Sequence, residues 1–435
     1  MWGAHWSILL EKAGVPGVYV VDEPFRADVQ ISCEKEGMAV LRRVVVRHPC
    51  GDVTDAELPA VMSELLTALT SPLTDKEKSP PKKEVKQQTR VVFNGTLDEV
   101  QAFYYRSGWT DGLPILPPTE EAVRAMLKGT NHAPDDIVSK EMLPESQIVT
   151  VEKVATVGVM AGCEPRYMPV LLAMVEAMSD ERFSSSVRST SSFSFVTVVN
   201  GPVAKQIGMN SGINALGSGT GNKANATIGR FQRLAFICLG GSRSGVSDLS
   251  SLGNPGKYSF AFAENEAKSP WEPFHVSCGF KTDESVISML SGGWSHHSPY
   301  GEVDLNHVAK SIATYELPTG VLVFMDPMWA RRVSDKGFTK QQAEKYIHSH
   351  ATRKAKDFKS DFFYAPFIEP SLKGKPWYGQ KGLWPARYLD VPPEEEIPIF
   401  PEDSILIVVV GGESNPFVQT WQFSRPRSVL VDKWR

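Results

Sequence analysis

The sequence lacks most of the features that assign a chain directly to a functional class. It has no Cys-x-x-Cys, HExxH or spaced Cys/His set, so neither a structural zinc site nor a catalytic metal is indicated. Its five cysteines are odd in number and widely spaced, which speaks against a disulfide scaffold. They are Cys33, Cys50, Cys163, Cys238 and Cys278.

Long apolar runs and an excess of one charge are also missing. The longest apolar runs, Leu234–Leu239 and Ile405–Val410, fall far short of the roughly 20 residues of a membrane span. A formal net charge of −4 argues against general binding to nucleic acid or to anionic membranes. The first residues have neither a basic start nor a small-residue cleavage site, so the cytoplasm is the expected location.

One polar segment divides the 435 residues. Residues 75–90 carry nine charges and a Pro pair, and Val85 is their one aliphatic residue. This is the composition of a solvated linker. We therefore predict a first domain over residues 1–74, a linker over 75–90 and a large domain over 91–435.

The first domain alternates between helical and strand patterns, which predicts a small parallel α/β layer. Its predicted elements are helices over about Trp6–Ala13, Ala27–Gly37 and Asp55–Leu69 and strands over Gly17–Val21 and Arg42–Val46. An α/β domain seldom opens on a helix, so the layer is expected to be incomplete at its front.

The second domain is predicted as a larger α+β or α/β unit, which makes the chain an α/β protein overall. Its predicted strands are Ile148–Val157, Phe193–Val199, Val286–Leu290, Gly320–Met325 and Ile405–Val410. Its predicted helices are Leu97–Ser107, Glu120–Leu127 with Thr119 as N-cap, Pro165–Met178, Asn306–Thr314 and Ser334–His350. Residues 355–400, rich in Pro, aromatic and charged residues, are predicted to form an ordered surface excursion.

The segment Gly208–Arg230 is the most informative part of the chain, with six glycines in 23 residues. Glycine lets backbone N–H groups crowd around a ligand, and a helix beginning near residues 222–226 would point its positive end at them. This predicts an anion site; the alternative is a long turn whose Asn and Gly residues adopt left-handed conformations. The segment matches neither the Walker A nor the dinucleotide template, so no nucleotide cofactor is indicated.

Nine residues are the candidates for substrate binding. Arg230 fits a bidentate clamp for a carboxylate, or else a surface salt bridge. Glu264 and Glu266 would share one face of a strand and could bind a metal or share a proton, or be exposed charges that neutralise Lys257 or Arg230. The full set is Trp109, Asn210, Gly217, Gly219, Asn225, Thr227, Arg230, Lys257 and Glu264.

Three residues are the candidates for catalysis. Cys163 precedes a helix opened by Pro165, where the dipole and free N–H groups would stabilise a thiolate and lower the thiol pKa; the alternative is a small buried core residue. Asp111 lies in a Gly/Pro-rich loop and could be a general base, a partner for a ligand amine or the side chain of an Asx-turn. His275 is a candidate ligand or acid/base group.

Other cysteines and histidines have weaker settings. Cys50 stands beside His48 in HPCGD, at the carboxyl end of a predicted strand, where sites form in α/β folds. Cys238 lies in an apolar run and is predicted to be core. The pair His296-His297 could offer a surface metal site.

Several phrases carry a family resemblance. In the first domain they are SILLEKAGVPGVYVVDEPF and RRVVVRHPCGDVTDAEL. In the second they are WTDGLPILPPTEE, MAGCEPRYMPVLLAMVEA, MNSGINALG, NKANATIGR, DLSSLGNPGKYSF and ENEAKSPWEP. Together they resemble the UGSC (seleno)protein family, which is named for a selenocysteine-Gly-Ser-Cys tetrad.

The resemblance implies a UGSC-like first domain that lacks its front. The family's tetrad would precede HWSILLEKAG, and this chain begins at Met1 without it. Either the protein lacks the tetrad, or the start was placed too late because selenocysteine is encoded by UGA, normally a stop codon. A late start is the expectation we favour.

The expected function is that of a cytoplasmic enzyme with thiol- or selenol-based redox or nucleophilic chemistry on a small anionic or thiol-bearing substrate. One alternative is a lyase or hydrolase that uses Cys163 and Asp111 in acid–base chemistry. The other is a non-catalytic small-molecule-binding or assembly subunit of a redox system. No cofactor is identified, neither nucleic acid nor membrane is an expected partner, and homo-oligomerisation stays open.

Overall fold

The computed structural model describes residues 2–48, 50–78, 90–189, 191–250, 252–295, 304–315, 318–375, 382–413, 418–423 and 426–435. Most of the predicted linker, residues 79–89, and the pair His296-His297 lie outside the described residues. No helix in the described ranges combines the length and the apolar composition needed to cross a membrane.

The first part of the chain is the predicted parallel α/β layer. Its elements are α1 (Trp2–Lys12), β1 (Tyr19–Asp22), α2 (Arg26–Lys35), β2 (Arg43–Val46), α3 (Leu58–Thr70) and α4 (Asp75–Lys78). Strands β1 and β2 pair in parallel, with Asp22 opposite Val46 at their carboxyl ends. Ile8 of α1, Val21 of β1 and Val29 of α2 pack in one small core. Burial of these apolar side chains holds the helices against the strands.

The rest of the chain forms thirteen further α-helices in the described residues. They are α5 (Leu97–Ser107), α6 (Glu120–Leu127), α7 (Val151–Ala161), α8 (Met168–Met178), α9 (Ser184–Val187), α10 (Pro202–Gln206), α11 (Lys223–Cys238), α12 (Phe274–Ser277), α13 (Leu305–Ile312), α14 (Pro327–Asp335), α15 (Lys340–His350), α16 (Ala355–Lys359) and α17 (Glu369–Leu372). Thr96 begins α5 with a capping box, and Thr119 caps α6 as predicted.

The strands of this part are β3 (Ile137–Met142), β4 (Gln147–Thr150), β5 (Ser194–Asn200), β6 (Ala261–Ala263), β7 (Val286–Ser295), β8 (Val321–Met325), β9 (Thr352–Lys354), β10 (Glu396–Pro398), β11 (Ile405–Val409), β12 (Val418–Phe423) and β13 (Arg427–Leu430). Seven of them form a mixed sheet in the order β11-β8-β12-β7-β5-β6, with β13 also paired to β7. The β5–β6 and β8–β11 pairs are parallel, and β12 runs antiparallel to both β7 and β8.

Both faces of the large sheet are buried. Val196 and Val198 of β5 pack in one cluster with Leu322 and Phe324 of β8. Alternate residues of the same strands, such as Val199, face the other side, because successive side chains of a strand point in opposite directions. On that side α7, α8 and α11 contribute to the core at the β5 end.

Three predicted elements of the second part are wrong. Ile148–Val157 is a strand only through Thr150, and helix α7 begins at Val151 because its buried residues recur at helical spacing. Ser334–His350 is two helices, α14 and α15, separated by Gly337 at φ 89° and the N-cap Thr339. The segment 355–400 is no surface excursion, because Phe358, Ile368 and Trp384 are core residues.

Candidate functional site

The Gly-rich segment folds around its own asparagines. Asn225 Nδ2 donates to the carbonyl of Asn210 (2.8 Å), and Asn210 Nδ2 donates to Asn222 Oδ1 (2.6 Å). Asn222 Nδ2 donates to the carbonyls of Asn214 (2.7 Å) and Gly217 (2.9 Å). These side-chain amides are taken by the loop's own groups, so the contacts favour the turn interpretation over an anion cradle lined by asparagines.

Two positions in this loop require glycine, each for a different structural reason. A Cβ on Gly217 would lie 2.0 Å from Asn214 Oδ1, so the position is closed by the loop itself. Gly219 has φ 147°, a conformation that L side chains rarely adopt. Gly221, by contrast, has open space around its missing Cβ.

We expect Gly217→Ala to lower the free energy of unfolding by about 1–3 kcal/mol, because the added methyl group must push Asn214 out of its hydrogen bond to Ser218. Gly221→Ala is the matched control and should stay within about 0.5 kcal/mol of the parent chain. Chemical denaturation of the full chain measures both. Equal stability of the two variants would show that the close approach at Gly217 is unimportant.

Asp111 and Arg230 form a buried bidentate ion pair. Arg230 Nε and Nη2 donate to the Asp111 carboxylate at 2.8 and 3.0 Å, and Nη2 also donates to the carbonyl of Pro114. The Asp111 side chain is 1% exposed and that of Arg230 17%. Asp111 Oδ1 also accepts the N–H of Leu113, as an Asx-turn does. Arg230 thus holds a carboxylate with two hydrogen bonds, but that carboxylate belongs to Asp111 and not to a ligand, so its contacts are those of the salt-bridge alternative.

Cys163 lies beside this ion pair. Its surroundings raise the pKa of the thiol, whereas the sequence predicted a lowered pKa. Its Sγ donates to the carbonyl of Thr227 at 3.4 Å. The hydroxyl of Thr227 in turn donates to the carbonyl of Lys223, one turn earlier in α11. Burial raises the pKa of the Cys163 thiol to about 12, and the opposing effects of its hydrogen bond to Thr227 and of the Arg230 charge do not offset this. The predicted low pKa is therefore wrong.

The helix positions explain the error. The Cys163 N–H bonds to the carbonyl of Gly158 at the end of α7, and the next turn begins only at Pro165. Cys163 is consequently outside the first turn of a helix, where free N–H groups would stabilise a thiolate.

Trp109 and Lys257 are engaged elsewhere in the fold. Trp109 packs edge-on against Phe103 and Tyr104 next to α5. Lys257 Nζ lies 2.8 Å from both carboxylate oxygens of Asp248 and 2.6 Å from Ser250 Oγ. An ammonium group has three donors, so these contacts use all of them.

Glu264 and Glu266 follow β6, and both carboxylates accept a hydrogen bond from the side-chain amide of Asn200. Asn200 Nδ2 donates to Glu264 at 2.5 Å and to Glu266 at 2.9 Å. Burial raises the pKa of Glu264, and the same Oε2 atom that accepts from Asn200 also accepts the N–H of Phe274 (2.6 Å). Glu264 is therefore a buried group, which corrects the alternative of an exposed charge near Lys257.

His275 is fully buried, and its Nε2 lies 3.0 Å from the carbonyl of Lys281. In the described ranges, no three or more His, Cys, Asp or Glu side chains converge in a way that could hold a metal ion. The structure thus places the predicted site residues in separate hydrogen-bonded clusters, of which Asp111, Cys163, Thr227 and Arg230 share one.

A second polar cluster lies at the carboxyl edge of the first sheet. Asp22 ends β1, and the chain leaves β2 at Val46, so the parallel pairing brings Asp22 close to the residues after β2. His48 Nδ1 lies 2.9 Å from Asp22 Oδ2, and the N–H of Cys50 donates to the same oxygen at 3.1 Å. His48 is 52% exposed and Cys50 is exposed. One carboxylate oxygen thus positions both a histidine and a cysteine at the surface.

Comparison with known proteins gives a family match for the part of the chain that contains Asp22, His48 and Cys50. Residues 2–75 match the UGSC family. This segment belongs to the UGSC family. No curated protein and no solved structure matches the chain.

The Asp22–His48–Cys50 cluster falls inside the UGSC segment, and the family match ends before the Gly-rich loop and Cys163. Sequence reasoning singled out His48 and Cys50 but missed Asp22. The signal available was that Asp22 directly follows the predicted strand Gly17–Val21, and parallel strands bring their carboxyl ends to one edge.

Proposed function

We propose that the UGSC segment performs thiol chemistry, with Cys50 as the nucleophile, His48 as its base and Asp22 as the group that orients the imidazole. The observation that carries the proposal is the Asp22 Oδ2 atom, which contacts both His48 Nδ1 and the Cys50 N–H. With Nδ1–H held by a carboxylate, Nε2 is the nitrogen that accepts a proton. A cysteine, a histidine and a third group that orients the histidine are the residue types that build an activated thiol.

Comparison of the five cysteines supports Cys50 over Cys163. Cys50 alone is exposed, and Cys33 is buried. Burial raises the pKa of Cys163 and of Cys238 to about 12 and also raises the pKa of Cys278. Reactivity requires the thiolate and access to it, so the other four thiols are poorly suited to the role.

The proposed substrate is a small anionic molecule or the disulfide formed by a thiol-bearing molecule, and a disulfide is the simplest case. Cys50 Sγ transfers its proton to His48 Nε2 and attacks one sulfur of the disulfide. The S–S bond of the substrate breaks, the leaving thiolate takes the electron pair, and a mixed disulfide remains on Cys50. A cytoplasmic location completes the proposal, because a reducing compartment returns Cys50 to the free thiol.

The acid–base alternative at Cys163 and Asp111 is less well supported. Asp111 is held by Arg230, and the Cys163 thiol donates to a backbone carbonyl. Neither group is arranged to exchange a proton with the other. The thiol proposal therefore stands ahead of a lyase or hydrolase.

The test uses dithiobis(nitrobenzoate), a small anionic disulfide, with the full chain under native conditions. We expect Cys50→Ser to remove the fast release of nitrothiobenzoate. His48→Gln should slow it by about 10²-fold, the contribution of a general base. Cys163→Ser should leave the rate unchanged.

His350→Gln, at an exposed histidine outside the UGSC segment, is the matched control and should react like the parent chain. A His48→Gln variant as fast as the parent chain would remove the base from the proposal. A Cys50→Ser variant that keeps the fast phase would overturn the proposal as a whole.

A further inference from the structure

A small polar cavity lies between β5 and α11, and neither the Asp22–His48–Cys50 cluster nor the segment Gly208–Arg230 supplies any of its lining residues. Its volume is about 20 Å³, more than the roughly 10–15 Å³ that a single water needs. The residues that give it its chemistry are Ser194, Arg233, Ser242, Asp248 and Lys257, with Phe195 among its apolar walls.

Two hydroxyl groups in this cavity lack partners. Ser194 and Ser242 are each 1% exposed. Among the described residues, neither Oγ has a hydrogen-bond partner. Buried hydroxyl groups are normally paired, because an unmade hydrogen bond leaves the loss of hydration uncompensated. Both serines line the cavity, so a bound group there would supply the missing partner.

The charges around the cavity are unbalanced. Arg233 and Lys257 are two cations, and Asp248 is the one carboxylate among the lining residues. Both oxygens of Asp248 contact Lys257 Nζ at 2.8 Å, and Oδ2 is also 3.0 Å from Arg233 Nη2. Both oxygens of Asp248 are thus already bound by cations. Two positive charges and one negative charge leave the lining of the cavity with a net charge of +1.

We propose that this cavity binds a small monoanion, either a halide or a carboxylate head, held by Arg233 and the hydroxyls of Ser194 and Ser242. A cation is disfavoured by the two positive side chains. A water molecule would satisfy the hydroxyls but would leave the excess positive charge uncompensated in a partly desolvated site. The proposal is independent of the chemistry at Cys50.

The experiment titrates sodium formate into the full chain in chloride-free buffer and records the unfolding temperature and the binding heat. We expect saturable binding by the parent chain. Ser242→Ala and Ser194→Ala should each weaken it by about tenfold, since each removes a hydrogen bond to a charged group. Arg233→Gln should abolish it. Arg243→Gln, which removes a charge from an exposed arginine nearby, is the matched control and should bind like the parent chain.

Bromide and propionate identify the source of the anion. Binding of bromide and formate without propionate assigns an enclosed site for a free ion, whereas binding of propionate as well assigns the carboxylate head of a longer ligand. The proposal is overturned if formate shows no saturable binding. It is equally overturned if both serine variants and Arg233→Gln bind formate like the parent chain.

Discussion

Asp111→Asn is expected to lower the free energy of unfolding by about 3 kcal/mol or more, because it leaves the partly buried guanidinium of Arg230 without its counter-charge. The asparagine keeps the shape of the side chain, so the loss reports the charge and not a cavity. The free energy is measured by denaturant unfolding of the full chain at neutral pH.

A second ion pair involving the same helix provides the control. Lys223, also on α11, contacts Glu164 at 2.6 Å, but this lysine is exposed. Lys223→Gln should leave the free energy of unfolding within the error of the measurement, since water screens such pairs. The double variant Asp111→Asn/Arg230→Met should recover part of the loss, because no unpaired charge remains. Equal effects of Asp111→Asn and Lys223→Gln would contradict the buried-pair interpretation.

The second large effect is kinetic. Iodoacetamide near pH 8 is expected to modify Cys50 long before Cys163 in the native chain. With a pKa of about 12, only about one Cys163 in 10⁴ is a thiolate at that pH, and the thiolate is the reacting form. Cys50 is exposed, so access does not limit its reaction. Peptide mass spectrometry of samples quenched at successive times gives the separate rates.

Unfolding in urea supplies the internal control for this measurement. Without the fold, the two cysteines should react at similar rates, since burial is the main cause of the raised pKa of Cys163. Native Cys163 that reacts as fast as Cys50 would show that its thiol is activated after all. Stabilisation of the Cys163 thiolate by the N-terminus of the following helix would then be supported.

Local patterns in the sequence predicted the first layer well. The alternation through residue 46 gives β1 and β2 in parallel, because each strand and helix there has its own clear period. The same kind of pattern failed at Val151–Val157. Its β-branched residues favour a strand, but Val151, Val154 and Ala155 lie on one buried face of a helix. Packing against other helices decided the outcome, and no local pattern contains that information.

The partners of the site residues were harder to predict than the residues themselves. Asp111 and Arg230 were both singled out, but 119 positions separate them, and only the packing of α11 on the 111–114 loop joins them. Asp22 and His48 meet because strand register aligns the ends of β1 and β2. Pairing at such distances along the chain depends on tertiary structure, so a single sequence shows the chemistry available but not which groups neutralise one another.

The order of strands in the large sheet has a consequence for how the chain is made. Strand β12 (Val418–Phe423) lies between β7 and β8, and β13 extends the pairing along β7. A ribosome releases these strands after β7 and β8, so until then one edge of β7 and one edge of β8 present unpaired N–H and C=O groups. The two halves of the sheet can join through β12 only after synthesis has reached residue 423, so until then these open edges are sites where other chains can pair.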